Sequence, residues 1–303
     1  MNHSKIFLRL AHATALAAAL CTILRSLSIA LYFDRSVGYL ARNPFSTLLY
    51  IVLALFAGLC LVCVVSLRKG NAIGATILDL EAASTPSRIC ALATAAVLTL
   101  AVVWECLGLH TVDTLSVFRL LCALAAALYF GSQANRRFAA FGLGAIGYGF
   151  GAIALEYFDW TIPMNSPIKI LQSMAMLVMM FFMLSEVSMR AQRPQRPARF
   201  AVVAAASALL GITNGASMIT AAIAGDVIPA GYVVRALPTL TIGAYALARL
   251  YAVASTPAVE GPIKEQPITD ETVTEARTVE EPLPDEVPEQ SQEDPATTTP
   301  EEQ

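Results

Sequence analysis

Arg190-Ala-Gln-Arg-Pro-Gln-Arg-Pro-Ala-Arg199 sets four arginines and two prolines between two long apolar runs. No acid within the stretch neutralises the arginines, and no helix continues through both prolines. The segment therefore reads as an aqueous turn between two membrane spans, with its charge marking the cytoplasmic side. That turn orients the chain on either side of it.

Reading outward in windows of about 20 apolar residues, the length that covers a hydrocarbon core of about 30 Å, gives eight spans. They fall near 10–33, 45–67, 89–109, 114–131, 138–157, 168–189, 200–224 and 231–253. Connections after even spans hold Arg68, Lys69 and Arg88, then Arg136 and Arg137, then the arginine turn; those after odd spans hold Asp113, Asp159 and Asp226. By the positive-inside rule both termini are expected in the cytoplasm. The expected fold class is an all-α polytopic membrane bundle, and the short loops and alanine-rich spans point to a bacterial plasma membrane. Its first partner is thus the lipid bilayer.

Composition agrees with this class. The 303 residues are 56% hydrophobic and only 14% charged, and the mean hydropathy is +0.61. The net charge of −3 conceals a segregation, because the chain after Ser255 carries fourteen acids against Lys264 and Arg277, leaving nine acids and eighteen bases before it. The body is thus +9 and the tail −12. Residues 254–303, rich in Pro, Glu and Thr, cannot bury enough apolar area to offset ordering entropy and are expected to be a disordered cytoplasmic tether that meets a protein partner. Nothing in this charge distribution points to nucleic acid.

The amino terminus imitates a secretory signal, with Lys5 and Arg9 before an apolar run and a lipoprotein-like Leu16-Ala-Ala-Ala-Leu-Cys21. Leu20 stands where a small residue is required and the run continues to Phe33, so the stretch reads as the first span.

Gly144, Gly147 and Gly151 share one face of the fifth span, and Gly211 and Gly215 form a Gly-x-x-x-Gly pair in the seventh. Small residues let helices approach where lipid supplies no hydrophobic drive, so both read as packing seams and place these two spans at the bundle's centre. Thr213 and Asn214, in mid-span, read as interhelical hydrogen-bonding groups.

Chemistry-bearing motifs are sparse. Cys60-x-x-Cys63 lies at mid-depth, away from the aqueous access that a redox pair needs. Met176, Met180 and Met183 form a stripe that reads as packing rather than a copper site. His3, His12 and His110 lie at separate depths, so no metal and no cofactor is expected, and no nucleophile or phosphate loop supports an enzyme.

Charges inside the spans are the sharpest signal, since an arginine at the bilayer centre costs about 2.5–3.5 kcal/mol on insertion scales. Arg25 lies about 13 Å inward and Arg119 about 8 Å, counting helical rise. With Glu105, Glu156 and Arg235 they form a candidate outward-facing polar vestibule, set against a ring of structural salt bridges. Glu186 and Arg190, one turn apart, read as an interfacial i,i+4 pair. Two functions follow: an interaction or sensory protein acting through its acidic tail, or a small-solute transporter that uses the vestibule.

Overall fold

The computed structural model describes residues 3–34, 39–69, 84–108, 113–133, 135–159, 166–191, 197–223 and 230–255. A compact unit, Met1–Val259, contains all of them; the second unit, Glu260–Gln303, lies outside the described residues, as does the expected disorder of the tail.

The described chain is helical except for a two-residue strand pair. The helices are α1 (His3–Tyr32), α2 (Pro44–Lys69), α3 (Thr85–Gly108), α4 (Thr114–Gly131), α5 (Leu143–Phe158), α6 (Pro167–Arg190), α7 (Pro197–Ile223) and α8 (Ala230–Ser255). Strands β1 (Phe33–Asp34) and β2 (Tyr39–Leu40) pair antiparallel between α1 and α2, and a 3-10 turn, Arg136–Gly142, precedes α5. Eight segments are long and apolar enough to cross a membrane, the fifth, Arg137–Phe158, counting the 3-10 turn together with α5.

Local chemistry sets their ends. Pro44, Pro167 and Pro197 open three helices, where a missing N–H leaves no bond unmade. Asp113 caps α4, accepting 2.6 Å from the Ser116 N–H, and Asn43 caps α2, accepting 2.9 Å from the Ser46 N–H. Hydroxyls inside the helices return to their own backbone: Thr14 donates to the Leu10 carbonyl at 2.7 Å and Thr94 to that of Cys90 at 2.8 Å.

The most extensive helix contact is between α7 and α8, and α1, α3 and α6 pack around that pair. A Cβ on Gly215 would stand 2.9 Å from the Ala236 carbonyl oxygen, and one on Gly243 would stand 3.0 Å from the Ile212 nitrogen. The two backbones are therefore in contact along this seam. The glycine face of α5 meets α4 instead: a Cβ on Gly144 would lie 2.8 Å from the Ala126 nitrogen, and one on Gly151 2.9 Å from the Arg119 Cβ. Its seam accordingly holds α5 between α4 and α6. The sequence expectation of α5 at the centre is corrected in favour of α8, because a row of glycines specifies a close neighbour but not which helix that neighbour is.

Candidate functional site

The carboxyl end of α3 and the amino ends of α4 and α8 meet at one end of the bundle. There Glu105, Arg119 and Arg235 line one cavity of about 210 Å³ together with Trp104, Ser116 and Val234. Arg119 Nη2 donates to Glu105 Oε2 in a salt bridge across α3 and α4. The Arg119 Nε and Nη1 find no hydrogen-bond partner among the described residues, although the residue is only 5% exposed. Its stem packs in the α4–α5 seam, where a Cβ on Gly151 would stand 2.9 Å from the Arg119 Cβ, while its head reaches the cavity wall.

Arg235 stands 3.6 Å from Asp159 Oδ2 and its guanidinium lies over the Tyr232 ring, 5.3 Å from the centroid. Three residues further on, Pro238 runs inside α8. Proline has no N–H to donate to Val234, so a carbonyl at the cavity wall lacks its ordinary intrahelical donor.

The five residues of the expected vestibule do not form one ring. Glu156 is 1% exposed and turns to α6, where Gln172 Nε2 donates to its Oε1 and the Ser173 hydroxyl to its Oε2 at 3.3 Å. It is within electrostatic reach of Arg235 but does not line the cavity. Arg25 is also 1% exposed, and its Nε and Nη2 have no partner among the described residues. It sits on α1, which packs on α2, α7 and α8, so the expected grouping fails for Arg25 because α1 lies on the other flank of the α7–α8 pair. Among the described residues Arg119 pairs with Glu105, Arg235 with Asp159, and Lys169 donates to the Asp159 carbonyl.

The opposite end of the bundle holds a second polar cluster that sequence reading reduced to a surface pair. Glu186 is fully buried. It accepts from Arg190 Nη2 at 3.1 Å and from the Tyr245 hydroxyl at 2.8 Å, and Arg249 Nε lies 3.2 Å from the same Oε1. Arg249, 1% exposed, was missed; its signal was a charge six residues inside the end of the last helix. The cluster ties α6 to α8, with Phe200 of α7 covering the Arg249 guanidinium at 6.0 Å.

Among the described residues no three His, Cys, Asp or Glu side chains gather as metal ligands. Cys60 and Cys63 are free thiols, both buried. Compared with protein-family models, curated proteins and solved structures, the chain gives no match.

Proposed function

We propose that the chain is a multi-pass membrane protein that binds a small solute bearing a carboxylate or phosphate in the cavity between α3, α4 and α8. One observation carries this reading: the nearly buried Arg119 keeps two donor nitrogens, Nε and Nη1, without a partner among the described residues at the wall of a cavity of about 210 Å³. A buried donor left unsatisfied costs about 1–3 kcal/mol, and a bound anion would recover that cost. A guanidinium offers fixed, always-charged donors to carboxylate and phosphate, and here an anion would take a charge-assisted bond from Nε or Nη1 beside the Nη2–Glu105 pair. Sites for drug-sized ligands run to about 300–1000 Å³, so this cavity suits something smaller. The bases clustered at the other end of the bundle support an outward-facing cavity and a plasma-membrane setting, as the transport reading requires.

The test is a thermal-shift and calorimetric screen of short-chain carboxylates and phosphate esters on the full chain in mild detergent, then uptake into proteoliposomes. Saturable binding should weaken at least tenfold in Arg119→Gln and Arg119→Lys while helicity and elution volume stay unchanged. No anion effect on the parent protein, together with a less stable Arg119→Gln, would make the arginine a structural partner of Glu105 and end the proposal.

The −12 tail supports a second reading, a cytoplasmic protein partner bound through residues 254–303. Affinity capture with the full chain and with a chain ending at Ser255 separates the two, because solute binding should survive the truncation and partner capture should not.

A further inference from the structure

The charged cavity continues into an apolar one. Trp104 and Val234 line both, and beyond them Val97, Leu100, Leu107 and Leu237 bound a cleft of about 300 Å³ between α3 and α8. From Val97 to Leu107 is about 15 Å of helical rise along the direction in which α3 would cross a bilayer. Leu100 is 67% exposed and Leu107 80% exposed, so the cleft opens sideways, away from the bundle. A cationic head site and a long apolar slot thus share two wall residues.

We propose that this composite site holds one phospholipid with an anionic headgroup, its phosphodiester at Arg119 and Arg235 and one acyl chain in the α3–α8 cleft. The inference rests on the solute-binding reading and names the ligand class for the same cavity. Charge complementarity selects the headgroup. Among the described residues Arg119 Nε and Nη1 have no hydrogen-bond partner, and Arg235 Nη1 is held 3.6 Å from Asp159 Oδ2 without a hydrogen bond. A soluble anion would leave the slot unused, and bulk lipid would have no need of a guanidinium 95% removed from solvent at its head. Only an amphiphile engages both parts.

Trp104 at the junction reports occupancy directly. The chain has two tryptophans, so Trp160→Phe in the full-length protein leaves Trp104 as the single fluorophore. The protein is reconstituted in phosphatidylcholine vesicles with rising fractions of phosphatidylglycerol brominated on its acyl chains. The expected result is quenching that saturates at a few mole per cent, with the midpoint moved at least fivefold higher in Arg119→Gln and saturation abolished by Val103→Phe, which adds bulk at another residue of the cleft wall. Quenching that rises in proportion to lipid fraction, or equally with brominated phosphatidylcholine, would overturn the lipid site. A parallel titration with glycerol phosphate in detergent keeps the two proposals apart. If it binds in an Arg119-dependent manner while bromolipid quenching stays proportional, the solute-binding reading stands and this one falls; if neither binds, both fall.

Discussion

Glu186 carries more of the described structure than any other single carboxylate. One buried acid is shared by Arg190, Arg249 and the Tyr245 hydroxyl, so the cluster holds two cations for one anion. Removing the acid takes from both buried guanidinium groups the carboxylate they share, and breaking a buried pair costs about 3–5 kcal/mol in comparable cases. Glu186→Gln should therefore lower the detergent melting temperature far more than Tyr245→Phe, which deletes one hydrogen bond to a charged group, worth about 1.5–3 kcal/mol. Equal melting temperatures for the two variants would contradict this account of the cluster. Asp113 offers a milder test at the aqueous edge. The Ser116 N–H holds its carboxyl below the ordinary value of 3.8. A lowered pKa stabilises the folded helix above the ordinary value and loses that contribution as pH falls through the lowered one. Amide exchange at Ser116 should quicken in acid below about pH 4, and Asp113→Asn, an equally good cap without a titrating proton, should remove that dependence. At this scale the sequence was legible for what each charge is and how deep it lies, but not for what it faces. Arg249 and Glu186 lie 63 positions apart, and only the rotation of α6 against α8 makes them partners.

Elements were the most legible level, because a hydrocarbon core demands a run of fixed length and the chain holds eight of them. Their neighbours were not. The glycine faces of α5 and α7 both mark close approach, yet one faces α4 at the flank and the other faces α8 at the centre. Overpacking such a seam costs about 1–3 kcal/mol. Gly215→Ala should thus destabilise, since the new methyl meets backbone on α8, while Gly58→Ala, with nothing within 4 Å of its Cβ, should be neutral or stabilising by up to about 1 kcal/mol. Thermal unfolding of the pair decides it: a Gly215→Ala protein as stable as its parent would mean that the α7–α8 backbones are not in contact. Three of the five vestibule residues converge for a similar reason. Glu105, Arg119 and Arg235 sit on helices that meet at their ends, whereas Arg25 and Glu156 were grouped with them by depth alone.

For the whole molecule, charge is divided between a +9 body and a −12 tail. On the partner reading of the tail, a labelled synthetic peptide of residues 256–303 should bind the cytoplasmic protein that the full chain captures. Fluorescence anisotropy should show that binding fade between about 0.05 and 0.5 M salt as the Debye length shrinks from over 10 Å to about 4 Å. Salt-independent binding would point to apolar contacts instead. The central place of α8 also bears on how such a protein is made. It has the lowest mean hydropathy of the eight helices and contains Pro238, Arg235 and Arg249. Offered to a bilayer alone, it would be a poor substrate for the insertion machinery, since its two arginines, five and six residues from its ends, carry part of the penalty of about 2.5–3.5 kcal/mol that an arginine meets at a helix centre. Its remedies come from helices synthesised before it: Glu186 on α6 for one arginine, Asp159 at the end of α5 for the other, and the glycine face of α7 for its backbone. Ribosomal order thus hands the least hydrophobic helix to a scaffold already containing its counter-charges, and a circular permutant that placed α8 first would have to enter the membrane without them.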